Sequence, residues 1–448
     1  MKLSRLRVSA LAVALASAYT LPAMAAAKDS KEAERIKALE TKLEKSLAVI
    51  EQLNQRLAEL EKQPKAAMAL APAQPAKTPV VEPDPVAQAR IETLEQGVRD
   101  LAAATASANR GTDTGVPLHG FLDVGYVHHN KSADGLRSGS KLGVMDIYLT
   151  PQFGSNVRSL IELAFEYGEG GSLATDAERL QIGYAFSDDF VLWAGRFHTP
   201  YGYWNTAFHH GAQIQTAITR PRFIAFEDQG GILPAHTVGA WVTGRASTDL
   251  GRVNYDFYTG NGNRISEGVL DFNASGDDNR SPMLGFNVGL SLKAVPGLTL
   301  GLHGMRQTVG GENANGSTQG KARTQFLGGY GFWEGDSFEL IGEYYRFNNR
   351  DLASGGGKHR SWAAYMQVGY NLASRLTGFV RVEKASLDSA DPYFALQESG
   401  SSYRQASIGL RYDLDPRSAV KVQLDNNRDA ANPLGTVNSL RAQYAIRF

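Results

Sequence analysis

Four of the nine histidines, His198, His209, His210 and His236, fall in one stretch of this 448-residue chain, with Arg196, Tyr201, Arg220, Arg222, Glu227 and Asp228 among them. Imidazoles and carboxylates ligate transition metals and act as general acids and bases. Arginine forks bind anions. Spacing decides among these roles. No carboxylate stands at helical spacing from any of these four histidines, and there is no His-x-His repeat among them, so no metal site is expected. No nucleophile elbow or triad spacing stands out. The chain has no cysteine, which removes thiol nucleophiles, thiolate metal sites, iron–sulfur clusters, disulfides and a cysteine-linked lipid anchor. The sequence therefore predicts no enzyme, no metal and no cofactor. The expected role of these polar groups is to line a constriction.

From 116 to 448 the chain alternates with period two in segments of roughly ten residues. Ser159, Ile161, Leu163, Phe165 and Tyr167 share one face, and Arg158, Glu162, Ala164 and Glu166 the other. The same pattern recurs at Leu180-Ile182-Tyr184-Phe186, Leu284-Phe286-Val288-Leu290-Leu292 and Val420-Val422-Leu424. Many segments end in an aromatic next to a turn, as an interface girdle requires. Seven short turns, near 154–155, 187–189, 246–248, 295–297, 334–336, 372–374 and 414–416, alternate with eight longer connections, near 131–140, 168–176, 199–235, 260–280, 307–321, 348–358, 385–401 and 427–437. This alternation requires sixteen strands. The expected fold class is all-β: a sixteen-stranded antiparallel transmembrane β-barrel with short periplasmic turns and long external loops.

Such a barrel leaves an aqueous lumen. Alternation places Arg158, Arg179, Arg196, His198, Arg252, Arg381, Arg411 and Lys421 on its inner face. An arginine excess suits small hydrophilic solutes with an anionic tilt. The other reading is that these charges pair across the wall and set no selectivity. Loop 199–235 carries Tyr201, Tyr203, Trp204, Phe208, Ile214, Ile218, Phe223, Ile224 and Phe226, too many large apolar groups for a loop in water. It is expected to fold inward and narrow the pore. Arg220, Arg222, Glu227 and Asp228 would then sit near the constriction, with Arg196 and His198 from the adjoining strand. The other placement is a latch onto a neighbouring subunit. Tyr201, Tyr203 and Trp204 are expected to pack the loop to the wall rather than to form a stacking track for sugars.

The N-terminal part has three zones. Lys2, Arg5 and Arg7, an apolar run from Val8 to Tyr19, and Ala23-Met24-Ala25 read as a signal peptide, 1–25. In 30–63, Ile36, Leu39, Leu43, Ser46, Ile50, Leu53, Leu57 and Leu60 form a heptad stripe that predicts a coiled coil. A Pro/Ala-rich linker with a short second heptad spans 64–115. Because the coil joins the first strand on the short-turn side, it is expected in the periplasm. The chain ends on Leu440, Ala442, Tyr444, Ile446 and Phe448 in alternation. A terminal aromatic strand of this form resembles the signal read by the barrel assembly machinery of the bacterial outer membrane.

Composition agrees. Lys+Arg and Asp+Glu are both 46, so no basic surface is available for nucleic acid. Mean hydropathy is slightly polar and no run of eighteen apolar residues follows the leader, which excludes a helical membrane protein but not a barrel.

The run Gly195-Arg196-Phe197-His198-Thr199-Pro200-Tyr201-Gly202 resembles the Gly-basic-Phe-x-x-Pro-aromatic-Gly motif of phosphate-selective-type porins, where it ends a strand before a long inward loop. Arg220-Pro221-Arg222-Phe223 and Phe226-Glu227-Asp228 sit where that family has an Arg/Glu-rich loop. A coiled coil ahead of the barrel is similar to that of trimeric dicarboxylate and siderophore porins. The resemblance implies an outer-membrane porin, a homotrimer embedded in outer-membrane lipid, passing small hydrophilic solutes. Loop 199–235 contains no lysine, unlike the lysine-rich ladder implied for phosphate-specific members. Uptake of a siderophore or oligosaccharide through the same barrel is the second reading.

Overall fold

The computed structural model describes residues 118–448, apart from 134–135, 168–172, 209–210, 272–275, 278, 313–317 and 354–355. The expected signal peptide, coiled coil and linker lie outside the described residues.

Nineteen strand segments are described; three are short pieces of turns or loops, leaving sixteen wall strands. They are β1 (Leu118–His129), β2 (Gly139–Leu149), β3 (Val157–Tyr167), β4 (Leu173–Ser187), β5 (Phe190–His198), β6 (His236–Ser247), β7 (Gly251–Gly260) and β8 (Met283–Leu292). The second half is β9 (Leu298–Glu312), β10 (Thr318–Glu334), β11 (Phe338–Asp351), β12 (Lys358–Ala373), β13 (Leu376–Ser386), β14 (Tyr403–Asp415), β15 (Ser418–Asp429) and β16 (Thr436–Arg447). Each wall strand pairs antiparallel with its sequence neighbours, and β1 pairs with β16 from Phe121↔Arg447 to His129↔Ser439. Closure leaves the wall no free edge, so the ladder N–H and C=O groups pair around the whole wall apart from a few bulges.

The alternation sorts the two faces as expected. Leu180, Ile182, Leu302, Leu327, Val382 and Ile408 are each more than half exposed on the outside. A continuous apolar outer surface of this kind calls for lipid, not water. Inward neighbours such as Arg179, Gln181, Arg381 and Glu383 are buried. The terminal aromatic seals the seam: Gly120 N donates to Phe448 O at 2.9 Å and Phe448 N donates back to Gly120 O at 3.0 Å. A Cβ on Gly120 would lie 2.5 Å from the Asp146 carbonyl oxygen and 2.3 Å from the Phe448 ring, and the backbone contact reserves the position for glycine. Tyr444 and Ile446 stand opposite Val124 and Leu122 in the same seam.

The expected connections at 307–321 and 348–358 are shorter than the pattern predicts. The β9–β10 ladder runs on to Glu312↔Thr318, and β11 pairs with β12 as far as Arg350↔Lys358. Beyond the lipid these hairpins need no apolar face, so the ladder continues where the sequence signal stops. In the β7–β8 connection, Arg264–Ser266 and Val269–Asp271 form a small hairpin laid parallel along the end of β9.

Candidate functional site

Loop 199–235 joins β5 to β6. Its neck closes where Thr199 N donates to Ala235 O at 2.8 Å and the Thr199 and Thr237 hydroxyls meet at 2.7 Å. The loop then turns at Gly202, whose φ of 64° is a left-handed conformation suited to glycine, and enters one helical turn, α1 (Trp204–Ala207). Tyr201, Trp204, Phe223 and Ile224 are fully buried. Their neighbours are inward aromatics of the far wall: Tyr201 meets Phe326 at 5.8 Å, Phe223 meets Tyr345 at 5.1 Å, and Trp204 meets Tyr365 at 5.7 Å between ring centroids. The loop is thus inside the barrel.

Polar groups of the wall hold the loop backbone. Glu343 accepts from Trp204 N at 2.7 Å while the Tyr345 and Tyr365 hydroxyls donate to it at 2.7 and 2.6 Å. Arg381 donates to the Thr219 carbonyl at 2.6 Å and to the Thr219 hydroxyl at 2.7 Å. Gln423 Oε1 accepts from Ile218 N at 2.8 Å, and Glu383 accepts from Arg222 N at 2.7 Å. Asn287 donates to the Gly202 carbonyl at 3.0 Å, and from the connection between β13 and β14 the Tyr393 hydroxyl donates to that of Ile232 at 2.6 Å. Backbone groups removed from water need such partners, so the wall's buried polar side chains satisfy the loop.

This arrangement redistributes the expected site residues. Arg411 and Lys421 are not free charges in the lumen: Arg411 donates to the Gln213 and Gln215 carbonyls at 2.6 and 2.8 Å, and Lys421 to those of Ala212 and Ala217. Arg220 lies buried within the loop, bonded to Asn205 Oδ1 at 2.6 Å and to the Ile224 carbonyl at 3.0 Å, over the Phe226 ring. Arg222 pairs with Asp429 and covers the Tyr403 ring at 4.4 Å. Glu227 is buried against His236, whereas Asp228 is exposed. Arg179 is paired with Glu162. Arg252 is exposed, opposite Ser247 and Ser291.

One placement is corrected. Arg196 stands opposite Leu180, which is 57% exposed on the outer face, and its Nε donates to the Glu178 carbonyl at 3.1 Å. Cross-strand partners share a face, so the register sets Arg196 away from the lumen. Alternation along β5 runs unbroken through Gly195: Leu192, Ala194 and Arg196 stand opposite Tyr184, Ile182 and Leu180, so Arg196 shares the outer face of Leu192.

On the other side of the loop, against β3–β7, a cavity of about 510 Å³ remains. Arg158, Arg179, Gln181, His198, Thr206 and Asp256 line it, with Trp193, Trp241 and Phe197. The Trp193 and Trp241 rings stack at 6.2 Å and the Phe197 and Trp241 rings at 5.6 Å. Sequence reasoning missed Glu343, Glu383 and Gln423. The signal was available on β11, where Ile341, Tyr345 and Phe347 interrupt an inner face that water alone would leave polar. It also missed a meeting of Glu178, His198 and His236, which come from three strands rather than from one segment.

No protein-family model and no curated protein sequence matches the chain. Solved structures do. An anion-selective porin from Comamonas acidovorans is similar to it with a TM-score of 0.52 at 13% identity, covering 75% of this chain and 99% of that one. The outer membrane channel DcaP of Acinetobacter baumannii has a TM-score of 0.51 at 12% identity, with coverage of 75% and 99%. The shared feature is the fold of a sixteen-stranded porin-type barrel.

Proposed function

We propose that this chain is a passive diffusion porin of the bacterial outer membrane, carrying small hydrophilic solutes with a preference for anions. The observation that carries this reading is the loop 199–235 tied into the lumen of a closed, lipid-facing barrel, with a polar cavity left beside it. A passive channel needs a narrowed water path and fixed charges, not a mobile catalytic centre. Arg158 in the cavity and Arg252, exposed on β7 outside it, support the anionic preference, set against Asp256 in the cavity, whereas Arg179 is neutralised by Glu162. The fold shared with a porin described as anion-selective agrees with it.

The remaining parts of the reading rest on sequence. The leader 1–25 directs export, and Tyr444, Ile446 and Phe448 present the strand read by the assembly machinery. The coil 30–63 would reach about 50 Å into the periplasm at ~1.5 Å per residue. A homotrimer fits both the heptads and the barrel class.

A second reading, selective uptake of a ring-bearing solute such as an oligosaccharide, draws support from the Trp193–Trp241–Phe197 row in the cavity. Tyr201 and Trp204 do not contribute to it, being fully buried, and Tyr203 is stacked on Phe332 at 4.2 Å. Planar-bilayer recording separates the two. Open conductance with an anion-biased reversal potential supports the diffusion porin. Current blocked by a maltodextrin in the wild type but not in Trp241→Ala supports the second reading. Folded protein without conductance contradicts both.

A further inference from the structure

Three buried side chains meet where β4, β5 and β6 lie together: Glu178, His198 and His236. One ligand atom from each lies within 4.8 Å of the others. His198 and His236 are direct partners across β5 and β6, with ring centroids 4.8 Å apart. Glu178 sits where the β3–β4 register slips, between Glu162↔Arg179 and Leu163↔Ala177. A bulge re-aims the extra side chain, and here the Glu178 carboxylate reaches His236 Nε2.

Behind His236 stands a second carboxylate. Glu227 accepts from His236 N at 3.1 Å and meets ring Nδ1 at 3.1 Å, which fixes the ring and aims Nε2 at Glu178. A carboxylate on the rear nitrogen is the usual orienting partner of a metal-binding imidazole. Glu162 Oε2, already paired with Arg179, lies 3.8 Å from His198 Nε2 and is within reach as a fourth ligand.

We propose that Glu178, His198 and His236 form a binding site for a zinc-class divalent cation, with Glu227 as a positioning residue. Two imidazoles and a carboxylate suit zinc in tetrahedral geometry, whereas calcium and magnesium prefer oxygen donors alone. His198 also lines the lumen cavity, which gives an ion a route from water.

The test uses full-length protein without a histidine tag, folded in detergent, stripped with chelator and dialysed against Zn²⁺, Mg²⁺ or Ca²⁺. Metal content by mass spectrometry should show one zinc per chain and neither of the other ions. His198→Ala and His236→Ala should lose the zinc while keeping heat-modifiable migration. Glu227→Gln should keep the stoichiometry but bind roughly 10–100-fold more weakly, as loss of an orienting partner does. If the alanine variants do not fold, Co²⁺ added to the wild type decides: an intense visible band of tetrahedral nitrogen–oxygen ligation supports the site, and its absence overturns it. Wild-type protein that takes up no zinc overturns the proposal, because His236 is then a proton-sharing bridge between Glu178 and Glu227. Equal uptake by folded wild-type and variant protein overturns it too.

Discussion

Arg381 on β13 holds Thr219 in loop 199–235 by both its carbonyl, at 2.6 Å, and its hydroxyl, at 2.7 Å. The guanidinium is fully buried and its Nε pairs with Glu383 at 3.1 Å. One wall residue therefore fixes the middle of the loop and balances a buried charge. Arg381→Ala should cost about 3–5 kcal/mol in detergent unfolding, since it leaves Glu383 without its cation. It should also raise single-channel conductance by freeing the loop. Wild-type stability together with wild-type conductance would refute the anchoring role.

Glu343 gathers three donors, Trp204 N and the Tyr345 and Tyr365 hydroxyls. Glu343→Gln replaces an acceptor-only carboxylate by a group that must also donate. The expected loss is about 1.5–3 kcal/mol, with faster hydrogen exchange confined to the loop around 199–208. Exchange that rises uniformly around the barrel instead would show that Glu343 supports the wall rather than the loop.

Gly202 offers a steric test of the same contact. A Cβ there would fall 2.1 Å from Glu343 Oε2 and 2.4 Å from the Tyr345 hydroxyl, at a φ of 64°. Gly202→Ala should displace the loop from β11 and lower the yield of heat-modifiable, folded barrel. Equal folding yield would mean the turn accommodates a side chain.

Selectivity should follow the cavity, not the Gly195–Gly202 motif. Arg158→Ala should shift the reversal potential toward cations, because Arg158 lines the cavity with its side chain 41% exposed. Arg196→Ala should leave the potential unchanged, because its register partner is the outward Leu180. The opposite pattern, a shift with Arg196 and none with Arg158, would place the water path elsewhere.

The wall was legible in the sequence because side-chain period two is a direct imprint of a sheet with lipid on one side and water on the other. Leu180, Ile182 and Tyr184 declare their face without help from any other strand. The inward course of loop 199–235 was legible too, from Trp204 and Phe223, which water would not hold. Its anchors were not. Lys421 and Arg411 read as solute-facing cations, and only three-dimensional closure brings them to the carbonyls of Ala217 and Gln215. Arg196 reads as a lumen cation from its charge, but it keeps the alternation of Leu192 and Ala194 and so shares their outer face. His198 and His236 are 38 residues apart and become cross-strand partners through loop closure, a pairing no local spacing encodes.

The most direct measurement is single-channel conductance of the wild type beside a variant in which loop 204–233 is replaced by a short Gly-Ser link. A loop that narrows the lumen requires a steady, lower conductance in the wild type and a several-fold larger one in the shortened form. Equal conductance in two correctly folded proteins, or none in either, would contradict a channel gauged by this loop.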